Sequence, residues 1–436
     1  MTKLEDVFGV SGKHIKSYIA RNHVDDRLID ALRTDKQVIV YGASKQGKTA
    51  LVSKYIKYED NIVVSLSPKF KMEDIYKAIL RDAGVLVRTS FTEGSGREIR
   101  SGMKAQIQAT IAMLGKSSLS GDISDKRSNN ITENYEEIEF NLSLPNDVAS
   151  LIHKAGCKKV VILENFHYLC EDMQRQFAYD LRTFQDLKIK IVILGVWKEA
   201  NRMSQFNGDL QDRVVEVPVE PWTQDDFISI ARKGEQELNI AISDGIINKC
   251  IESSFRSVGV YQELLKGTCR ISDILNKQSE LTVVEDERSV DLTIIEKTEY
   301  YSGRHLRNLE AISSGIGSGI QGDRPLPYFM PYYIIIALLE LGFDGLNGGV
   351  SKDTLMQKIK PVHHRKDDLK GGQLTSALKK LGELQSAKGI NPPVLAYDSN
   401  TRMLKVIDST FYFFMKNASL SDIIEDIVNP LDCIDC

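Results

Sequence analysis

The chain has 436 residues, 42% apolar and 27% charged, which is enough for two or three domains that each bury a core. Its 56 basic and 60 acidic residues sum to −4, so no global basic field draws nucleic acid and only a local patch can do so. Charges in the opening MTKLEDVFGV stand where a signal peptide needs an apolar core, and the longest greasy run, Tyr332 to Leu339, falls far short of the ~20 residues that span a bilayer, so neither secretion nor membrane insertion is expected.

Six cysteines are too sparse for a disulfide scaffold. Cys157, Cys170, Cys250 and Cys269 read as buried thiols of a cytoplasmic protein. The Cys433–Cys436 pair has no second pair of ligands nearby, so no zinc site is expected.

From the N-terminus, a helical pattern covers Ile15 to Leu32. The strand Val38-Ile39-Val40-Tyr41 follows, then a glycine-bounded loop and a helix from Lys48. The strand Ile62 to Leu66 and the amphipathic run Met72 to Gly84 continue the alternation. Short apolar strands between helices predict a parallel sheet covered on both faces. The pattern breaks at about 88–145, which reads as an insertion. Lys104 to Ile111 has period-two character, suggesting a hairpin arm, and Gly115 to Asn134 is polar and poor in large apolar residues. Strands then resume at Lys159–Leu163, Ile189–Gly195 and Val214–Val217, with a helix from Cys170 to Leu187. Trp222 to Leu275 reads as short helices. Residues 281–324 read as a linker ending in the glycine-rich 313–319. Helices at about 332–341, 351–359 and 373–385 precede two strands, 394–397 and 403–407, the order of a winged helix-turn-helix. No internal repeat is visible.

The strongest signal is Gly42-Ala43-Ser44-Lys45-Gln46-Gly47-Lys48-Thr49, which fits G-x-x-x-x-G-K-[ST] between a strand and a helix. Gly42 and Gly47 let the backbone curl so that successive N–H groups face a polyphosphate, aided by the positive end of the helix that continues into Ala50. Lys48 brings an ammonium to the β- and γ-phosphates, and the Thr49 hydroxyl is a Mg²⁺ ligand. The segment predicts a nucleoside triphosphate, ATP or ADP with Mg²⁺.

With that loop, residues 10–275 and the appended helices resemble AAA+-type P-loop ATPases of the group that includes origin-recognition initiators and STAND signalling ATPases. Tyr18-Ile19-Ala20-Arg21 resembles the aromatic and Arg that pack near adenine in that group. Val160-Val161-Ile162-Leu163-Glu164-Asn165 resembles Walker B. The resemblance puts Glu164 on the metal side and Asn165 where a catalytic acid is usual. Asn cannot take a proton, so slow hydrolysis is expected. His167, two residues on, is a candidate for polarising water or reading the γ-phosphate. The resemblance also marks Leu194-Gly195-Val196-Trp197 as the sensor 1 strand end, Arg213 as an arginine aimed at a neighbour's nucleotide, and 223–280 as a lid. Gly259-Val260-Tyr261-Gln262 falls at the sensor 2 position without its Arg, and Arg256 lies just upstream.

Residues 325–418 hold 12 Lys or Arg and 8 Asp or Glu, a balance of 12 − 8 = +4. Lys379 and Lys380 on the third helix, Lys388 after it and Arg402 on the presumed wing are candidate DNA contacts, with His363-His364-Arg365-Lys366 before them. The tail 419–436 is acidic, with Leu420, Ile423, Ile424 and Ile427 at helical spacing.

The combined expectation is an α/β P-loop protein with an AAA+-like sheet of five core strands over 1–222, a helical lid at 223–280 and a winged helix at 325–418. It would bind Mg-ATP, hydrolyse it slowly, and assemble as a homo-oligomer on or with DNA. The alternative is a STAND-like switch gating a protein effector, as in anti-phage defence. A metabolic kinase fits less well, because no acceptor-pocket motif is visible.

Overall fold

In the computed structural model, which describes residues 2–10, 15–89, 107–112, 135–315, 325–399 and 401–432, five parallel strands lie side by side. Their spatial order is Ile62–Ser65, Val161–Glu164, Ile191–Val196, Gln37–Gly42 and Val214–Pro218. Alternate residues feed opposite faces. Ile39, Leu163 and Ile193 enter one core, while Val38, Ile162 and Val192 enter the other. Helices cover both faces, so the strands are apolar throughout instead of alternating with polar residues. This is the expected α/β class, a five-stranded parallel sheet with helices on both faces. The register Gly42↔Val196 and Ser65↔Glu164 brings the C-terminal strand ends along one edge, where the phosphate loop emerges.

Several elements depart from the sequence reading. The first long helix begins at Asn22, not at Ile15. Residues 15–21 are held instead by side chains: Ser17 Oγ donates to the Val7 carbonyl, and the Arg21 amide donates to Asp25 at 2.8 Å. In the insertion, Val85–Thr89, Ile107–Ala112 and Tyr135–Phe140 form an antiparallel three-stranded sheet. The polar tract 115–134, the glycine-rich 316–319, Asn400 and Cys433–Cys436 lie outside the described residues. Residues 2–10 pack on helices Gln224–Leu238 and Val258–Ile271 and not on the sheet. Phe8 sits so close to Gly234 that a Cβ there would lie 2.0 Å from its ring. Cys170 is exposed, whereas Cys250 and Cys269 are buried.

The assignment of 281–324 as a linker is corrected. Arg288–Ser313 is a 26-residue helix. Its buried positions include Thr293, Tyr301 and His305 beside Val290, Leu309 and Ile312, so polar residues interrupt the stripe that packs against helix Val258–Ile271 and the C-terminal module.

In that module, helices Met330–Leu346 and Lys352–Val362 flank the short strand Val350–Ser351, which joins Met403–Val406 and Leu395–Asp398 in a three-stranded sheet ordered Val350–Ser351, Met403–Val406, Leu395–Asp398. The third helix is two pieces, Gly371–Lys379 and Leu381–Ala387, broken at Lys380. The tail is not free: Leu420–Asp426 is helical, and Ile423 and Ile427 enter the module's core. Among the described residues no helix is long and apolar enough to cross a membrane.

Candidate functional site

The loop Ala43–Gly47 leaves the end of strand Gln37–Gly42 and enters helix Lys48–Tyr55. Its curl depends on positive φ at Gly42 (154°), Lys45 (61°) and Gly47 (84°). Each contact of its first half is with protein. The Ala43 amide donates to Glu220 Oε2 at 2.6 Å, and the Ser44 amide donates to the Ile407 carbonyl at 3.3 Å. The Lys45 carbonyl accepts from the Gly259 amide at 3.0 Å. The second half is different. Among the described residues, the amides of Lys45, Gln46, Gly47, Lys48 and Thr49 donate to no acceptor. Five adjacent unpaired N–H groups at a helix start form an anion cradle.

Lys48 Nζ donates to the carbonyls of Gly42 at 3.1 Å and Ala43 at 2.7 Å. Burial lowers its ammonium to about 8, opposed by Glu220, so it remains charged at neutral pH. The Thr49 hydroxyl donates to Glu164 Oε1 at 3.3 Å, and Tyr58 OH donates to the same oxygen at 2.8 Å. Asn165 takes a left-handed turn (φ 58°), and its amide donates to Ser65 Oγ at 3.1 Å.

A cavity of about 300 Å³ runs from this loop. Its walls include Ser44 to Leu51, Asn165, His167 and Tyr168 together with the apolar and aromatic Tyr18, Ile19, Trp222, Ile230 and Val258. Arg21 lies 3.5 Å over the Trp222 ring, and burial lowers its guanidinium. Gln262 and Ser17 hydrogen-bond each other at the rim, Gln262 Nε2 donating at 3.0 Å. Gly42 and Ala43 supply carbonyls to Lys48 and do not wall the cavity.

Other sequence candidates fall elsewhere. Arg213 lies at the start of strand Val214–Pro218, on the edge opposite the loop, and pairs with Asp186. Within one chain it is not part of this site. Trp197 packs its ring on Gly195 and stacks on Tyr41 at 6.2 Å, so it is a core residue. Arg256 lines a separate cavity with Phe255 and Glu220, and only its carbonyl reaches the loop, through Gln46.

Lys379, Lys380, Lys388 and Arg402 are all exposed. Lys379 lines a cleft of about 750 Å³ between the C-terminal module and the sheet edge, Lys388 donates to Ser314 at 2.9 Å, and Arg402 sits at the strand turn. The His363-His364-Arg365 cluster is occupied internally. It hydrogen-bonds Tyr328, Pro327 and Leu326 carbonyls, so those groups do not form the phosphate-contact patch expected from sequence.

Three site residues carried no sequence signal: Tyr58, which holds Glu164; Glu220, which holds Ala43; and Asp25, which accepts from both Tyr18 and Tyr55. Each is a single polar residue brought in from a different element.

The C-terminal module touches the loop directly. Ser409 Oγ donates to the Ser44 carbonyl at 3.0 Å, and Ser257 Oγ donates to Ser409 at 2.9 Å. Next to them Asp408, fully buried, accepts from Arg304 at 2.5 Å and from Thr410 Oγ1 at 2.7 Å.

No protein-family model and no curated protein matches the chain. Solved structures similar to it include the Walker-type ATPase PABY2304 of Pyrococcus abyssi, 13% identical over 92% of this chain and 96% of that one, TM-score 0.47. Others are the Aeropyrum pernix ORC1 protein in complex with DNA (10%, 96% and 95%, 0.38) and the Thermotoga maritima RuvB Holliday junction branch migration motor (14%, 94% and 100%, 0.38). Likeness this distant carries no activity across, and the chemistry rests on the residues above.

Proposed function

We propose that the chain is a Mg-ATP-binding ATPase of the AAA+ kind, with a lid at 223–280 and a C-terminal winged helix seated on the phosphate loop. The observation that carries this reading is the cradle of unpaired amides at residues 45–49 beside the buried Lys48 ammonium. Five donors and a cation converging at a helix start suit a polyphosphate and little else. The apolar and aromatic lining, with Trp222 and Tyr18, suits the flat face of a base.

The residues also fit a magnesium ion. Among the described residues no group of three or more His, Cys, Asp or Glu forms a metal cage. Thr49 and Glu164 supply hard oxygens at the cradle, and Mg²⁺ ordinarily takes one or two protein oxygens with phosphates and water. When bound it would neutralise phosphate charge. Hydrolysis is slow in this reading, because Asn165 cannot act as a base and its amide is turned to Ser65.

DNA is the proposed macromolecular partner, through Lys379, Lys380 and Arg402, with Arg213 serving a neighbouring copy in a homo-oligomer. A second reading, a signalling switch that gates a protein effector, is favoured by one observation: Ile407 and Ser409 bond the phosphate loop itself, so nucleotide state and module seating are in contact.

The test is titration of the full chain with Mg-ATPγS and Mg-ADP, beside Lys48→Ala. Loss of a charge-assisted contact predicts at least about tenfold weaker binding. Wild-type protein that binds neither nucleotide refutes the reading. Particle mass with ATP, with and without DNA, then separates assembly on DNA from a monomeric switch.

A further inference from the structure

Exposed apolar side chains are concentrated in one stretch of the chain. Among the described residues eleven large apolar side chains are exposed, and six of them, Leu275, Leu281, Val283, Leu292, Ile295 and Tyr300, lie within 275–300. Single exposed apolar residues are ordinary, but a concentration of them marks a surface that another molecule covers. Leu281 and Val283, two residues apart, share one side of strand Thr282–Val284, which is paired on one edge alone. Helix Arg288–Ser313 follows. With about 3.6 residues per turn, its buried Val290, Tyr301, His305 and Ile312 fall on one side, and Leu292, Ile295, Glu299 and Gly303 fall on the other. Leu292 is 50% and Ile295 55% exposed, and an added methyl at Gly303 would meet nothing within 4 Å, so this outer side is open.

Charge sets what can cover it. Residues 273–300 hold 3 Lys or Arg and 8 Asp or Glu, a balance of 3 − 8 = −5. Lys249 and Arg270 pair with Asp291 and Glu296, but Glu299, beside the two apolar residues, pairs with no cation among the described residues. Such a face repels nucleic acid and anionic lipid, so its occupant is basic and apolar. The chain carries that complement on its C-terminal module. A groove of about 420 Å³ is lined by Met356, Gln357, Lys360, Pro361, Lys366 and Asp367. Val362, next to Pro361, is 58% exposed. Residues 352–370 hold 6 Lys or Arg and 3 Asp or Glu, a balance of 6 − 3 = +3, and Lys360 and Lys366 make no ion pair among the described residues. Both faces are open in the same chain, so they do not meet within it.

We propose that the Leu292, Ile295 and Glu299 face of one copy docks on the Met356, Lys360 and Lys366 groove of a second copy, apolar against apolar and glutamate against lysine. The two patches differ, so every copy offers one of each and assembly runs head to tail instead of closing as a twofold dimer. This rests on the homo-oligomer part of the reading above and needs neither a bound nucleotide nor DNA.

The experiment is sedimentation velocity of the full chain over a concentration series, with and without Mg-ATPγS. It compares wild type with a helix-face variant, Leu292→Ser with Ile295→Ser, and a groove variant, Lys360→Glu with Lys366→Glu. All four positions are exposed, and matching urea midpoints certify that the variants fold. Wild type should self-associate, and each variant alone should do so at least about tenfold more weakly. An equimolar mixture of the two variants keeps one intact contact, so it should form a 1:1 pair and nothing larger. Wild-type association in either variant, or variants that weaken but do not pair when mixed, overturns the proposal and leaves the homo-oligomer reading standing. Wild type that stays monomeric up to about 100 μM with and without Mg-ATPγS overturns both.

Discussion

Gly259 is where the lid meets the phosphate loop backbone to backbone. A Cβ at Gly259 would stand 2.5 Å from Lys45 Cβ and 2.7 Å from the Lys45 carbonyl oxygen. Ordinary carbon contacts lie near 3.5–4.0 Å, so Gly259→Ala requires a retreat of roughly 1 Å. A carbonyl in a curled loop cannot rotate away as a flexible side chain would. The retreat also stretches the Gly259 N–H bond to that carbonyl, now 3.0 Å. Overpacking costs about 1–3 kcal/mol and the lost bond about 1 kcal/mol, so the seated lid is disfavoured by about 2–4 kcal/mol. Val258 and Gln262 wall the cavity from the same helix, so the cost falls on nucleotide binding. Since 1.4 kcal/mol is tenfold, ADP affinity should drop by at least about tenfold. The lid's own core, built on Phe227, Tyr261 and Leu264, is untouched, so global unfolding should move little. The assay pairs ADP titration with amide exchange over 257–261, where protection should fall. Gly303→Ala is the control, because nothing lies within 4 Å of that added methyl, and it should stabilise the long helix by about 0.5–1 kcal/mol. Wild-type ADP affinity and unchanged exchange in G259A would refute the idea that the lid seats through this contact.

Arg304→Ala should destabilise the docked C-terminal module by about 3 kcal/mol in urea titration, because it strips the main partner from a fully buried Asp408; Lys45, whose charge also faces Asp408, keeps the loss at the low end of the usual range. Asp408→Asn should cost less, since it keeps the cap on helix Ser409–Asn417; equal stability of R304A and wild type would show the pair is idle. Tyr58→Phe should leave stability within about 1 kcal/mol, yet raise several-fold the magnesium needed for nucleotide binding, because only Thr49 then orients Glu164; an unchanged magnesium titration counts against Glu164 as a metal-side group. Acid should weaken the nucleotide-free protein. Burial lowers His305 to about 4 against the pull of Asp408, so below about pH 6.5 the unfolded chain takes up a proton that the folded chain refuses, and stability falls from there toward pH 4. The loss is of order 1–2 kcal/mol at pH 5, and His305→Gln should flatten that part of the profile.

The sheet was legible because its strands are short, apolar on both faces and separated by helices, and the phosphate loop was legible because its chemistry needs glycines and a lysine at fixed spacing. Neither depends on what lies far away in the chain. The rest of the site does. Glu220 reaches Ala43 across 177 residues of sequence, Tyr58 reaches Glu164 across 106, and Ser409 reaches Ser44 across 365. A lone Glu, Tyr or Ser has no periodicity to betray it. The long helix Arg288–Ser313 failed for a related reason. Its buried positions mix Val290, Leu309 and Ile312 with Ser289, Thr293, Tyr301 and His305, so polar residues interrupt the apolar stripe; Thr293 packs on Gly267 of a neighbouring helix and His305 bonds Thr410 beside Asp408. The His363-Arg365 cluster misled in the opposite sense. Its charge suggested nucleic acid, while its donors and acceptors are spent on the carbonyls of the segment just before helix Met330–Leu346. Charge in a sequence marks what a residue is able to bind, and only packing decides whether its partner is another molecule or the chain itself.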